Sequence, residues 1–270
     1  MNSLTTMVLS LFVALLVTLV GVASTADAAP IGINFVGGSP PENNGTPDAM
    51  DPADVAGHPD VAQSNWNNLT GASGTDISIT DEDGNDNGGA LTVTYDAGLG
   101  TWSTGAASDG TPGIDDNGDQ QMMDGYLDAD GASQGTDSTI VVVSGIPFSR
   151  YQVWVYGDGF NPEDRRYQYT LNPGETTEQV VAFTDPQDDL FAGTYGPIIT
   201  DDTTPGTATQ TGLFENVTGS SFTLEVAGLN DDPQYPRGVL NGIQVIPEPA
   251  SLALLVLGGA AMLAARRQRA

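Results

Sequence analysis

Ser221-Phe-Thr-Leu-Glu-Val226 alternates polar and apolar residues at every step, so Phe222, Leu224 and Val226 fall on one face of an extended chain. Leu91-Thr-Val-Thr-Tyr95 repeats the pattern. A strand with one buried face and one wet face calls for antiparallel partners. Further runs rich in Val, Ile, Thr, Tyr and Phe predict strands at 31–36, 76–80, 139–144, 151–157, 166–171, 178–184, 212–217 and 239–246. Gly, Asp, Asn and Pro separate them, and no stretch between the two chain ends holds a long helical period. The pattern predicts an all-β body: a two-sheet antiparallel β-sandwich of the jelly-roll type with long acidic loops. A long β-helix would need a fixed internal period, and none is found.

Three segments are too long for tight turns: 37–65, 96–138 and 185–210. Loops of that length in a compact domain carry function or lack a fixed structure. The first is rich in Pro, Gly and Asp and predicts a mobile excursion; it holds His58, the only histidine, which reads as a solvated surface residue. The second contains Met122-Met-Asp-Gly-Tyr-Leu127, which predicts a segment packed against the sandwich.

Composition removes several chemistries. The chain has no cysteine, no lysine and one histidine, which excludes disulfides, thiolate metal sites, Schiff-base catalysis and most zinc sites. Seven arginines face 35 acids, a formal net charge of −28. Such a surface repels phosphate backbones and excludes nucleic acid as a partner.

Both ends read as targeting segments. Residues 1–29 hold an apolar run followed by Ala26-Asp27-Ala28, the pattern of a secretory signal peptide with cleavage after Ala28 or Ala29, although its first residues carry no Lys or Arg. At the other end the uncharged run 251–265 predicts a transmembrane helix. Its length of about 22 Å falls short of the ~30 Å hydrocarbon core, a mismatch that thinning and snorkelling accommodate. Arg266, Arg267 and Arg269 follow it and predict a cytoplasmic tail.

Pro247-Glu248-Pro249, the apolar run and the arginine cluster, in that order, resemble the PEP-CTERM sorting signal of exported bacterial proteins. The resemblance implies processing near the motif by an exosortase, a transpeptidase-like membrane enzyme. It makes Pro247, Glu248, Pro249, Arg266, Arg267 and Arg269 an address. Ile33-Asn34-Phe35-Val36-Gly37-Gly38, Ser64-Asn-Trp66-Asn-Asn68 and Arg237-Gly-Val-Leu-Asn241-Gly242-Ile-Gln-Val245 resemble exported planctomycete-type proteins carrying this signal. The last phrase is also similar to the final strand of carbohydrate-binding and malectin-like jelly rolls.

Within the body, Asp81-Glu-Asp83-Gly-Asn85-Asp86-Asn87-Gly88 sets oxygen ligands at alternate positions, as calcium requires, with Asp81, Asp83, Asn85 and Asn87 as the candidate set. The glycine is misplaced for an EF-hand and the closing Glu is missing, so a polar turn between strands is the competing reading. Trp66, Trp102, Trp154 and Tyr156 are candidate sugar-stacking residues, with Trp154 and Tyr156 on one strand face; the competing reading is core packing.

These observations predict a signal peptide at 1–29, a β-sandwich domain at 30–246 and a sorting segment at 247–270. The expected protein is exported, non-catalytic and held in the cell envelope or exopolysaccharide matrix. It is anchored transiently by its C-terminal helix, with carbohydrate binding and structural calcium as expectations. A polysaccharide hydrolase or lyase working through two carboxylates is the first alternative. A structural matrix protein without a defined ligand is the second.

Overall fold

In a computed structural model, the structure describes residues 28–37, 49–103, 118–130, 138–159, 165–186, 191–229 and 237–248. Ala29–Glu248 forms one compact unit. The signal-peptide run, the predicted membrane run and Pro249, Arg266, Arg267 and Arg269 lie outside the described residues. Among the described residues no helix is long and apolar enough to cross a membrane.

The body is mostly β, with three sheets where two were expected. The first sheet runs β11 (Thr211–Val217), β8 (Tyr151–Tyr156), β14 (Gly242–Pro247), β1 (Ile31–Phe35) and β2 (Asn67–Leu69). It is antiparallel except for β1 and β2, which pair in parallel. The second is antiparallel throughout: β10 (Gln179–Thr184), β9 (Arg166–Leu171), β12 (Ser221–Gly228), β7 (Thr139–Ser144), β4 (Thr92–Asp96) and β3 (Ser73–Ser78). The third joins β13 (Arg237–Leu240), β6 (Gly125–Asp130) and β5 (Gly100–Ser103). Among the described residues one short helix, α1 (Gly118–Asp124), leads into β6.

Asn241 accounts for the third sheet. The sequence reads as one strand over 239–246, yet the run is cut at this fully buried residue. Its amide donates to the carbonyls of Met123 (2.8 Å) and Gly125 (3.0 Å), and its Oδ1 accepts from the Asp158 N–H (2.7 Å). Those bonds tie the α1–β6 segment to the break, and the halves on either side of it join different sheets. The parallel β2 also depends on side-chain amides. Asn67 donates to the carbonyls of Gly32 (2.8 Å) and Thr80 (2.7 Å), and Asn34 donates to Asn68 Oδ1 (2.9 Å).

The main core takes alternate residues from the first two sheets and adjacent pairs from the third. Ile31, Ile33, Val153, Val155, Ile243 and Val245 come from the first, and Val93, Val141, Tyr169, Leu171, Leu224 and Val226 from the second. Tyr126, Leu127, Val239 and Leu240 of the third complete it. Period-two alternation places the side chains of the first two sheets, and each fully buried Leu, Ile or Val contributes roughly 1.5–3 kcal/mol.

Candidate functional site

The sequence motif at the C-terminal end begins inside the fold. Val245 is a buried core residue of β14, which is a central strand of the five-stranded sheet. Pro247 is the last residue of that strand and lies opposite Tyr151. Proline has no N–H to donate, so it fits at a strand end where the ladder stops. The Glu248 N–H donates to the Arg150 carbonyl (3.1 Å). Its carboxylate is held at both oxygens: Oε2 lies 3.2 Å from Arg150 Nε, and Oε1 accepts from the Asn216 N–H (3.0 Å). The Glu248 side chain is only 12% exposed although Arg150 is 52% exposed.

A β-bulge supplies the Asn216 donor. Phe214 pairs with Val153 and Val217 with Tyr151, so Glu215 and Asn216 together oppose the single Gln152. Asn216 adopts the left-handed conformation (φ 58°), which Asn tolerates better than most residues. The extra residue turns its N–H out of the ladder and toward Glu248. Beside the bulge lies a groove of about 280 Å³ lined by Asn172, Thr176, Thr177, Gln179, Asn216 and Thr218 among others, with no aromatic wall.

Three of the four candidate stacking residues come together on the outer face of the five-stranded sheet. Trp154 and Tyr156 share that face, and Trp66 meets Tyr156 edge-on at 6.3 Å. Gly32 makes room for Trp66, since a Cβ there would come within 2.8 Å of the indole. The face is covered, and Trp66, Trp154 and Tyr156 are 5%, 3% and 0% exposed. Met50, Met122, Met123, Phe191 and Leu213 complete this second cluster. Trp66 Nε1 donates to the Gln63 carbonyl and Trp154 Nε1 to Gln152 Oε1. Trp102, on β5, packs partly buried against the main core.

His58 departs from its expected solvated position. Its ring stacks on Trp154 with centroids 5.4 Å apart, and its side chain is 15% exposed. The segment around it folds back through the antiparallel bridge between Ala56 and Gln63, and the His58 N–H donates to Tyr156 Oη (3.0 Å). Asp119 Oδ1 secures the same segment by accepting from the Gly57 N–H (2.8 Å) and the Tyr195 hydroxyl (2.7 Å). Burial raises the Asp119 pKa, a shift opposed by the Tyr195 and Gly57 hydrogen bonds and by the nearby His58.

The acidic loop at 81–88 closes on itself. Asp81 Oδ1 accepts from the Asn85 N–H (2.8 Å), and the Asn85 amide faces both Asp81 oxygens at 3.1 and 3.2 Å. Asn87 donates to the Gly145 carbonyl (2.7 Å). Among the described residues no group of three or more His, Cys, Asp or Glu is placed to hold a metal ion.

A buried polar cluster was not anticipated. Asp128, Asp158 and Asp185 are at most 3% exposed. Asp128 pairs with Arg237, while Asp185 Oδ2 accepts from the Tyr167 hydroxyl and the Gly159 N–H. Burial raises the Tyr167 pKa, and the adjacent Asp185 carboxylate adds to the shift.

Comparison with known proteins decides the meaning of the C-terminal junction. The model of the PEP-CTERM protein-sorting motif matches residues 245–269. The chain carries a PEP-CTERM sorting motif. Such a motif marks an exported protein, anchored transiently at the membrane before processing by exosortase. No curated protein matches the chain. Among solved structures it is similar to the exo-β-1,3-galactanase of Phanerochaete chrysosporium with galactose, at 13% identity and a TM-score of 0.22, covering 44% of this chain and 26% of that one. It is also similar to the isomalto-dextranase of Arthrobacter globiformis T6 complexed with panose, at 13% identity and a TM-score of 0.26, covering 65% and 23%. The chain thus spans about a quarter of the length of either structure.

The PEP-CTERM match starts at Val245, so the motif and the folded body share their junction residues. Sequence reading located Pro247 and Glu248 but missed Arg150 and Asn216. One signal was available. Arg150 is one of only four arginines between Pro30 and Pro247.

Proposed function

We propose that this chain is a non-catalytic protein of the cell envelope or exopolysaccharide matrix, exported by its N-terminal segment and sorted by its C-terminal one. Its body serves as a jelly-roll-type scaffold. The observation that carries this reading is the PEP-CTERM motif at 245–269, continuous with the last strand of the body. The test replaces Pro247, Glu248 and Pro249 with alanine. Export should persist while C-terminal processing stops, because the apolar run and arginines remain. Normal processing of this variant would overturn the assignment.

Carbohydrate binding is the second reading, and Trp102 is the residue that favours it. Of the four candidate aromatics it alone keeps part of its surface accessible. An exposed indole stacks on a sugar face. A glycan array comparing wild type with Trp102→Ala tests it. Binding lost in the variant supports a carbohydrate-binding role, and no binding by the wild type leaves a structural matrix protein.

A further inference from the structure

The motif's glutamate already has a partner. Both Glu248 oxygens are engaged, one by Arg150 Nε and one by the Asn216 N–H, and its backbone N–H is taken by Arg150. A processing enzyme that reads this carboxylate must first draw it from a site where it is 12% exposed. We propose that Arg150 and the β11 bulge form an intramolecular carboxylate-binding site that docks Glu248 and competes with the processing enzyme for the sorting motif.

Three features argue for a built site. The bulge points a backbone donor at the carboxylate, where a regular strand would spend that N–H on its ladder. Arg150 lies next to Tyr151, which pairs with Pro247, so the guanidinium is placed by register. It also supplies a cation in a body with four arginines against 33 acids. A carboxylate elsewhere on this surface would meet like charge. The dock is shallow by design of its chemistry. A half-exposed ion pair and one backbone hydrogen bond are together modest, so an enzyme can displace them. The dock therefore slows recognition without preventing it. A chain whose final strand has not yet paired presents the motif freely, and a folded chain presents it at a reduced rate.

This inference rests on the sorting assignment, and the experiment separates the two. Full-length wild type, Arg150→Ala and the triple alanine variant of Pro247, Glu248 and Pro249 are expressed in a host with an active exosortase. Conversion of precursor to processed protein is followed by pulse-chase, and hydrogen exchange at the Asn216 amide is measured on full-length precursor in detergent. Arg150→Ala, which removes the ion pair and leaves the Asn216 hydrogen bond, should be processed about two- to fivefold faster than wild type, the effect expected for one half-exposed pair. The Asn216 amide should be protected in wild type and lose protection in Glu248→Ala. Arg150→Gln, which keeps much of the side-chain bulk, should match Arg150→Ala in rate if both melt like wild type. Wild-type rates in both arginine variants with the triple variant unprocessed would overturn the dock alone. So would slower processing, or an unprotected Asn216 amide in wild type. Normal processing of the triple variant would overturn the sorting assignment itself.

Discussion

Asp119 lies where two segments meet over the outer face of the five-stranded sheet, accepting from the Gly57 N–H and from Tyr195, with His58 stacked on Trp154 beside it. Burial raises its pKa above the usual carboxylate value. A carboxyl that binds its proton more tightly in the folded state favours folding when protonated. Its contribution is therefore most favourable at acidic pH and declines as pH rises from the ordinary carboxylate pKa through the raised one. Asparagine keeps an acceptor for both donors and removes the charge. Asp119→Asn should flatten that part of the profile and melt at or above wild type at neutral pH. Melting temperature across the acidic range for both proteins is the check, and parallel profiles would show that Asp119 does not titrate differently on folding. The residue scale also explains why His58 was misread. A lone histidine between Gly57 and Pro59 carries no periodic signal, and its partners Trp154 and Tyr195 are distant in sequence.

At the scale of elements, the break between β13 and β14 organises the three sheets. Asn241 donates to two buried carbonyls and accepts from one buried N–H, so Asn241→Ala removes three buried hydrogen bonds at once. Each costs about 1–3 kcal/mol, and a loss of more than ~3 kcal/mol is expected from denaturant unfolding. A loss below ~1 kcal/mol would mean that water replaces the amide. The same break shows what the sequence made legible. Strands 139–144 and 166–171 were predicted with the bounds observed, because a run of β-branched residues marks the first and polar–apolar alternation the second. β5 and β6 fell inside a segment read as loop, and β2 inside another stretch without an assigned strand. These strands are short, and β2 is secured by asparagine amides whose partners become neighbours only after folding. The sorting motif was legible since it is contiguous. Its dock was not, because Arg150 and Asn216 meet Glu248 only when β14 enters the sheet with β8, and β8 in turn pairs with β11.

At the scale of the whole molecule, tyrosine hydroxyls buried across the fold set a limit that no single site does. Burial raises the pKa of Tyr126, Tyr156, Tyr167, Tyr169 and Tyr195, and pushes that of Tyr151 up to about 12. The unfolded chain releases the same protons near pH ~10. The folded state thus keeps protons that the unfolded state gives up, so stability is intact below that value and falls as pH rises above it. Each such phenol costs about 1.4 kcal/mol per pH unit in that range. Six acting together forfeit roughly 8 kcal/mol by pH ~11, comparable with the 5–15 kcal/mol that holds a typical domain. The charge of −28 acts in the same direction, since every phenolate adds to a chain that already repels itself. Alkaline titration should therefore give one cooperative transition near pH ~11, in which tyrosinate absorbance and loss of the β-sheet circular dichroism coincide. Added salt should move the transition to higher pH by screening the repulsion. Absorbance that rises well before the fold is lost would show that the phenols reach water in the native state, and that the core between the sheets is looser than their burial indicates.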